Sequence, residues 1–273
     1  MPALVLSVPF FLLAAVLLGL VLGVSERYAP TLVVPTVGLA ILYVFSPEIN
    51  WWWYRRNPPD LPDPLKRLIS HSPYYKRLPE NLQLRFRQKV ALFMMGTDFK
   101  KPTDEGGVPE DIKAALAASA VPLILTTETL VFPHFEHVVM YATPFPSPQY
   151  PTRMHLSEIY EEDGVVLFSA EHLLKGFLQP EQYFPIGLYE YARIFLRLCE
   201  KQHVAVPKSE ESIWQSIEAM AGYSHGRIAQ WINLEEKDIE LPAVIIVHFF
   251  MFPERFRALE PGLYEAYCKL FHQ

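Results

Sequence analysis

The sequence contains few cysteines and no concentrated run of basic residues. Cys199 and Cys268 are its only cysteines, so a disulfide framework is not expected and a reducing compartment is favoured. The formal net charge is −6 over 273 residues, half of which are apolar. Since phosphate backbones are bound by concentrated positive charge, we expect no nucleic acid partner.

Motifs of several common enzyme classes are also absent. The chain has no Gly-x-Ser-x-Gly, phosphate-binding loop, dinucleotide fingerprint or Cys-x-x-Cys pair. Ser169, Glu171 and His172 are residue types that a hydrolase triad uses, but a helix N-cap explains the serine and the glutamate. The sequence therefore predicts no cofactor and no active site of these kinds.

Charged residues are missing from most of the N-terminal segment. Residues 3–24 contain none and are about as many as the roughly 20 apolar residues needed to cross a bilayer. After a short polar turn, residues 29–45 are again uncharged, and the tryptophans at 51–53 suit the membrane–water boundary. We therefore predict a two-helix transmembrane anchor over residues 1–54, not a signal peptide with a basic leader. The open alternative is a buried helical hairpin of a soluble protein.

The residues after the anchor predict its orientation and a spacer. Arg55 and Arg56 lie beyond the second span, followed by Lys66 and Arg67, so the positive-inside rule places both termini in the cytoplasm. Four prolines between residues 57 and 64 are expected to prevent regular structure. We predict a proline-rich linker over residues 55–73 and a second domain over residues 74–273.

The second domain combines helical and strand patterns, which predicts an α+β fold. Apolar periodicity predicts helices over residues 78–95 and 109–125, and β-branched and aromatic residues predict a strand over residues 129–141. Asp163-Gly164 indicates a hairpin between residues 156–160 and 165–168. His134 and His137 would face opposite sides of a strand, so we do not expect them to share a metal.

The most informative stretch runs from residue 164 to residue 200. A short apolar strand is followed by a helix start, a loop and a second helix that carries Tyr189-Glu190-Tyr191-Ala192-Arg193. This stretch resembles the zinc-peptidase family of Mlc titration factor A, in which a strand and a short helix precede a helix with His-Glu-x-x-His. Residues 242–256 and 261–265 resemble the closing pattern of that family, and Leu78-Pro79 is a weaker match.

The resemblance implies a zincin-like metallopeptidase domain, mostly helical with a small mixed sheet. In the family, two histidines four residues apart hold zinc and the adjacent glutamate is the general base. Here Glu190 keeps the base position, whereas Tyr189 and Arg193 stand at the two ligand positions. Val247 stands where the later pattern has glutamate, and His248 follows it. Only Glu190 and His248 remain as candidate metal ligands.

The degenerate motif predicts a relative that has lost its metal. We expect a catalytically inactive, membrane-anchored metallopeptidase homologue that is a scaffold, accessory subunit or regulator of a membrane protein complex. It would lie in the bacterial inner membrane and contact the lipid bilayer and other subunits, or a protein segment in the former substrate cleft. The candidate partner-binding residues are Val165, Leu167, Tyr189 and Arg193. The open alternative is a membrane-tethered zinc peptidase whose non-standard site contains Glu190, His248 and a histidine from elsewhere in the chain.

The replaced ligands also lead to a structural expectation. We expect Arg193 to occupy part of the vacated space, with its charge held by Glu190 or Glu240, and Tyr189 to pack against the later apolar helix at Val247. Such a core would be independent of a metal. The open alternative is that Glu190 is a solvated acid and Arg193 its surface partner.

Overall fold

Two compact units make up the chain. The computed structural model describes residues 2–103, 106–147 and 153–272. Residues 1–59 form the first unit and residues 60–273 form the second, each held together by its own internal contacts. The first unit is the apolar N-terminal segment, and the second holds the Tyr189–Arg193 motif.

The N-terminal unit is a helical hairpin followed by a third helix. α1 comprises Pro2–Gly23, a 3₁₀ turn spans Glu26–Leu32, and then come α2 (Val33–Val44) and α3 (Ser46–Arg56). α1 and α2 lie close together, since a Cβ at Gly38 would lie 2.5 Å from the Phe10 ring. Most large apolar side chains of both helices nevertheless point outward. The segments Pro2–Gly23 and Glu26–Val44 are long and apolar enough to cross a membrane, as the sequence predicted.

The stretch predicted as an extended linker, residues 55–73, instead contains helical segments. α3 extends into it, α4 comprises Asp63–Ile69, and α5 (Pro73–Arg77) begins at its end. Prolines stand at the starts of α4 and α5, where the backbone N–H is not needed, so they do not prevent helix formation. The apolar side chains of this stretch that are buried in the core are Leu61, Leu65 and Ile69. The second unit therefore begins at Asp60 and not at residue 74.

The second unit is mostly helical with a small mixed sheet, which confirms the α+β prediction. Its further helices are α6 (Glu80–Gly96), α7 (Glu110–Ala120), α8 (Ala170–Leu178), α9 (Ile186–Lys201), α10 (Ile213–Ala221), α11 (His225–Ile232), α12 (Leu241–Met251), α13 (Pro253–Leu259) and α14 (Pro261–Phe271). Its strands are β1 (Asp98–Lys100), β2 (His137–Tyr141), β3 (Phe145–Pro146), β4 (Met154–His155), β5 (Ser157–Tyr160) and β6 (Val165–Ser169). The main sheet has the order β1-β2-β6-β5, in which only β5 runs antiparallel to its neighbour.

The predicted hairpin is confirmed. β5 and β6 pair from Ser157 opposite Phe168 to Tyr160 opposite Val165. Gly164 in the turn has a φ of +63°, and a Cβ there would collide with the carbonyl oxygen of His134. Glycine alone accommodates both the left-handed backbone and this close approach.

The strand predicted over residues 129–141 is shorter than expected and contains only one of the two histidines. His134 precedes β2 with a φ of 72°, and its Nε2 lies 2.6 Å from the carbonyl oxygen of Glu161. His137 begins β2, and its Nδ1 lies 3.1 Å from Asp98 Oδ2. The two imidazoles therefore have different hydrogen-bond partners.

The core of the second unit is built around three helices. α12 is buried from Ala243 to Phe250. α9 packs against it, and the alanine-rich α7 packs against α9 and α8. This helical layer supports the motif on α9 by apolar burial, which stabilises by about 25 cal/mol per Å².

α6 carries a buried lysine. Lys89 is 5 % exposed. Its Nζ donates to the carbonyl oxygens of Ile124, Thr127 and Thr129 at 2.5, 2.6 and 2.8 Å. The ammonium therefore satisfies three carbonyl groups of the segment after α7.

Replacing Lys89 with methionine is expected to lower the free energy of unfolding by about 2 kcal/mol, because buried carbonyl groups lose a charged donor. Thermal unfolding of the full chain in detergent measures the effect. Lys113→Met is the matched control, since Lys113 lies on α7 in an i,i+3 pair with the exposed Glu110. An equal loss of unfolding free energy in the two variants would contradict a structural role for Lys89.

Candidate functional site

The first half of α9 is buried because the helix lies very close to its neighbours. Pro185 precedes the helix, and its carbonyl oxygen accepts the first-turn hydrogen bond from the Tyr189 N–H at 3.0 Å. A Cβ at Gly187 would lie 2.7 Å from Leu173 and 3.1 Å from Ser119. Residues 186–192 are consequently buried, including the motif residues Tyr189 and Glu190.

Glu190 and Arg193 form a buried ion pair that reaches the start of α12. Arg193 Nη1 donates to Glu190 Oε2 at 2.8 Å, and its Nε donates to Glu240 Oε1 at 2.7 Å. Ser157 Oγ donates to the other Glu190 oxygen at 2.6 Å. The side chains of Glu190 and Arg193 are 2 % and 17 % exposed. The expectation that Glu190 or Glu240 holds Arg193 is confirmed, and the solvated surface pair is not found.

A second arginine extends this pair into a network. Arg197 Nη2 donates to the same Glu240 oxygen at 3.2 Å, and its Nε donates to Glu161. Burial disfavours the charged form of Arg193, but Glu190, Tyr189 and Glu240 outweigh it and raise the pKa of the guanidinium above its ordinary value. Arg193 therefore remains a cation throughout the accessible pH range.

Tyr189 fills the space beside this network. The backbone N–H of Glu240 donates to its hydroxyl oxygen at 3.2 Å, and its ring makes an edge contact with Phe184. Tyr189 thus meets the residue before α12 begins, and the predicted packing of Tyr189 against Val247 remains a prediction. Burial raises the pKa of the phenol well above its usual value, so it remains protonated and neutral.

His248 lies apart from Glu190 in an apolar environment. Its Nδ1 donates to the carbonyl oxygen of Val244 at 2.8 Å, and its ring faces Tyr223 and Phe252. In the described part of the chain, its Nε2 has no hydrogen-bond partner. Burial lowers the pKa of this imidazole to about 4.

A cleft of about 510 Å³ opens onto the ion pair. Glu190 and Arg193 line it together with side chains of β5 and of the segment 232–238. Arg153 Nη2 pairs with Glu235 Oε1 at 3.1 Å, and the Asn233 side chain donates to the Met154 carbonyl, so β4 is connected to the segment after α11. The cleft is polar, with charges of both signs.

β5 is the edge strand beside the cleft. The Ser169 N–H donates to the Leu156 carbonyl oxygen at 2.7 Å, so Leu156 and Ser169 form a hydrogen-bonded pair of the hairpin. Hydrogen-bonded and non-hydrogen-bonded pairs alternate along an antiparallel hairpin, which fixes the type of every later pair. Ser157 and Ile159 occupy the non-hydrogen-bonded positions, and their backbone N–H and C=O groups point away from β6. Among the described residues, no other backbone group bonds to them.

Val165 and Leu167 lie one strand further into the sheet. Both are on β6, which is paired on its two edges by β2 and β5. Their backbone groups are therefore not available to an added strand, and Leu167 is buried. A partner-binding role for these two side chains remains a prediction.

One protein family resembles a large part of this chain, including the motif on α9. The family model described as glucose-regulated metallo-peptidase M90 matches residues 50–194, just over half of the chain. This chain belongs to the M90 metallopeptidase family. The match begins within α3 and ends on α9 just after Arg193. It does not include residues 242–265, so the resemblance of these residues to the family rests only on their sequence pattern. No curated protein matches the chain.

The residues at the M90 ligand positions do not fit a catalytic zinc. Such a site needs three protein donors and an open position. Tyr189 is a buried neutral phenol, Arg193 is a permanent cation and Val247 has no donor atom. Within the described ranges, no group of three or more His, Cys, Asp or Glu side chains could hold a metal.

Several residues of the network were missed by sequence reasoning. Ser157, Glu161 and Arg197 come from three different elements, and no local spacing connects them. Ser169 was expected to cap α8, but its Oγ instead lies 3.1 Å from His172 Nδ1, and the described structure shows no capping bond from it. Since Ser169 is fully buried, this pair is not accessible to a substrate.

Proposed function

We propose that this protein is a membrane-anchored, catalytically inactive M90 homologue that binds a protein segment in its former substrate cleft. The position of Arg193 carries the proposal. Its guanidinium stands where the family motif has its second histidine, and it engages the glutamate that would be the general base. A cation at this position repels a metal ion, and a paired Glu190 has no free oxygen to activate water.

The edge strand supports binding as the remaining activity. Within the described ranges, the outward backbone groups of the buried Ser157 and the half-buried Ile159 have no backbone partner. An extended segment can add to such an edge while neighbouring pockets select its side chains. The ion-pair network holds β5, α9 and α12 together without a metal. The protein would thereby be a scaffold, accessory subunit or regulator of a membrane complex.

The N-terminal hairpin supports a membrane location for this binding. Both helices are long and apolar enough to span. The arginines after α2 favour the cytoplasmic side of the inner membrane for the second unit. Partner segments would then come from cytoplasmic regions of neighbouring membrane proteins.

Elemental analysis tests the loss of the metal. The full chain, purified in mild detergent from zinc-supplemented cells, should contain no stoichiometric zinc, cleave no peptide and keep its melting temperature when a chelator is added, because its core contains no metal link. Stoichiometric zinc that is lost in Glu190→Gln or His248→Leu would contradict the proposal and favour the tethered peptidase.

A proline substitution tests binding at the edge strand. Ile159→Pro removes one outward N–H and leaves the β5–β6 hydrogen bonds intact, so a co-purifying partner should be lost while the melting temperature changes little. Ile159→Ala is the matched control and should retain the partner. Retention in the proline variant would exclude this edge as the binding site.

A further inference from the structure

A second pocket lies away from the cleft and shares no lining residue with it. It measures about 300 Å³ and lies between α5, the end of α12, α13 and α14. Phe249 and Phe250, which are 2 % and 1 % exposed, form its apolar floor, and the Tyr74 ring contacts Phe250 edge-on at 5.4 Å between centroids. The volume is at the lower end of small-molecule sites.

Two arginines line this pocket without a close counter-ion. Arg77 Nη2 donates to the Phe250 carbonyl at 2.5 Å, which accounts for one of its five N–H groups. Among the residues that the structure describes, neither Arg77 nor Arg257 has a carboxylate oxygen within 4.0 Å. Burial lowers the pKa of Arg77, and the nearby Glu254 offsets this only in part. The remaining guanidinium groups are therefore available to an anion.

We propose that this pocket binds a small organic carboxylate, with the carboxylate group held by Arg77 and Arg257 and the apolar body against Phe249 and Phe250. Arginine presents paired N–H donors that match the two oxygens of a carboxylate. The aromatic surface gains from covering an apolar ligand. The site is independent of the proposed partner binding in the cleft.

The charge of the pocket selects among anions. Arg77 and Arg257 together with Glu254 carry a net charge of +1, so a monovalent carboxylate neutralises the pocket. A phosphate dianion would leave an excess negative charge next to Glu254. We therefore expect benzoate to bind more tightly than inorganic phosphate or phenyl phosphate.

The test measures binding of benzoate to the full chain in detergent by calorimetry or ligand-observed NMR. Benzoate should bind one site, its neutral analogue benzamide should bind about tenfold more weakly or worse, and Arg257→Gln should weaken benzoate by about tenfold or more. Arg77→Gln should do the same, while Glu254→Gln should strengthen binding. Because Arg257 is exposed at the pocket, its replacement leaves the fold intact.

Arg255→Gln is the matched control on the same helix. Its guanidinium bonds to the Met220 carbonyl and approaches Glu181, outside this pocket, so benzoate affinity should stay within about twofold of the unmodified chain. The proposal is overturned if benzoate and benzamide bind alike, or if Arg257→Gln and Arg255→Gln have the same effect.

Discussion

Replacing Arg193 with alanine is expected to lower the free energy of unfolding by about 3–5 kcal/mol, the usual cost of removing one partner of a buried ion pair. Glu190 would remain buried with Ser157 as its donor, and its second oxygen would have lost the guanidinium. For a domain of this size, the loss corresponds to a fall in melting temperature of roughly 6–20 °C. Thermal unfolding of the full chain in detergent measures it.

Two further variants separate the buried pair from surface electrostatics. Arg153→Ala removes an arginine whose pair with Glu235 is about half exposed on both sides, and it should change the melting temperature little. Arg193→Met combined with Glu190→Gln should recover part of the loss, because no uncompensated charge remains. If Arg193→Ala is no worse than Arg153→Ala, the arginine does not replace the metal as a link between α9 and α12.

Acid is expected to destabilise the protein through His248, by about 3 kcal/mol between pH 6.5 and pH 4. The unfolded imidazole has a pKa of about 6.5, whereas burial lowers the folded value to about 4, and each unit is worth 1.36 kcal/mol. The unfolded state therefore binds the proton first. This part of the stability is complete above pH 6.5 and is lost as the pH falls toward 4.

His248→Leu isolates this contribution, since leucine has a similar volume and cannot bind a proton. Other groups also titrate in this range, so the informative quantity is the difference in unfolding free energy between the original chain and the variant at each pH. We expect the difference to move in favour of the variant by about 3 kcal/mol from pH 7 to pH 4. A constant difference would show that His248 gains a polar partner or solvent in the folded state.

The sequence was most informative where the relevant interactions are local. The absence of charge over residues 3–24 and 29–45 predicts the two long apolar helices, and Asp163-Gly164 predicts the β5–β6 turn, because each depends on neighbouring residues alone. The spacing of Glu190 and Arg193 likewise placed both on one face of a helix. The expectation that Glu190 or Glu240 holds Arg193 was drawn from the replaced ligands and is correct for both glutamates.

Other features depend on tertiary contacts that no local pattern contains. Lys89 has the charge of a surface residue, and only the carbonyl groups of the segment after α7 make its burial acceptable. The prolines before α4 were interpreted as helix breakers, although the first turn of a helix accepts them. Val165 and Leu167 were assigned to partner binding by the family resemblance, and no local pattern showed that β5 would lie at the sheet edge beyond them.

Arg193 binds both Glu190 and Glu240, and under the proposed function these bonds would make the loss of a metal hard to reverse in evolution. A single change of Arg193 to histidine would leave the buried Glu190 without its cation, and Glu240 with Arg197 alone, before any metal could bind. Tyr189 would still be a neutral phenol, and Val247 would still lack a ligand atom. Each intermediate on the way back would thus be less stable than its parent and gain no zinc. Under the proposed function, selection after the arginine was in place would act on the cleft as a binding surface and no longer on hydrolysis.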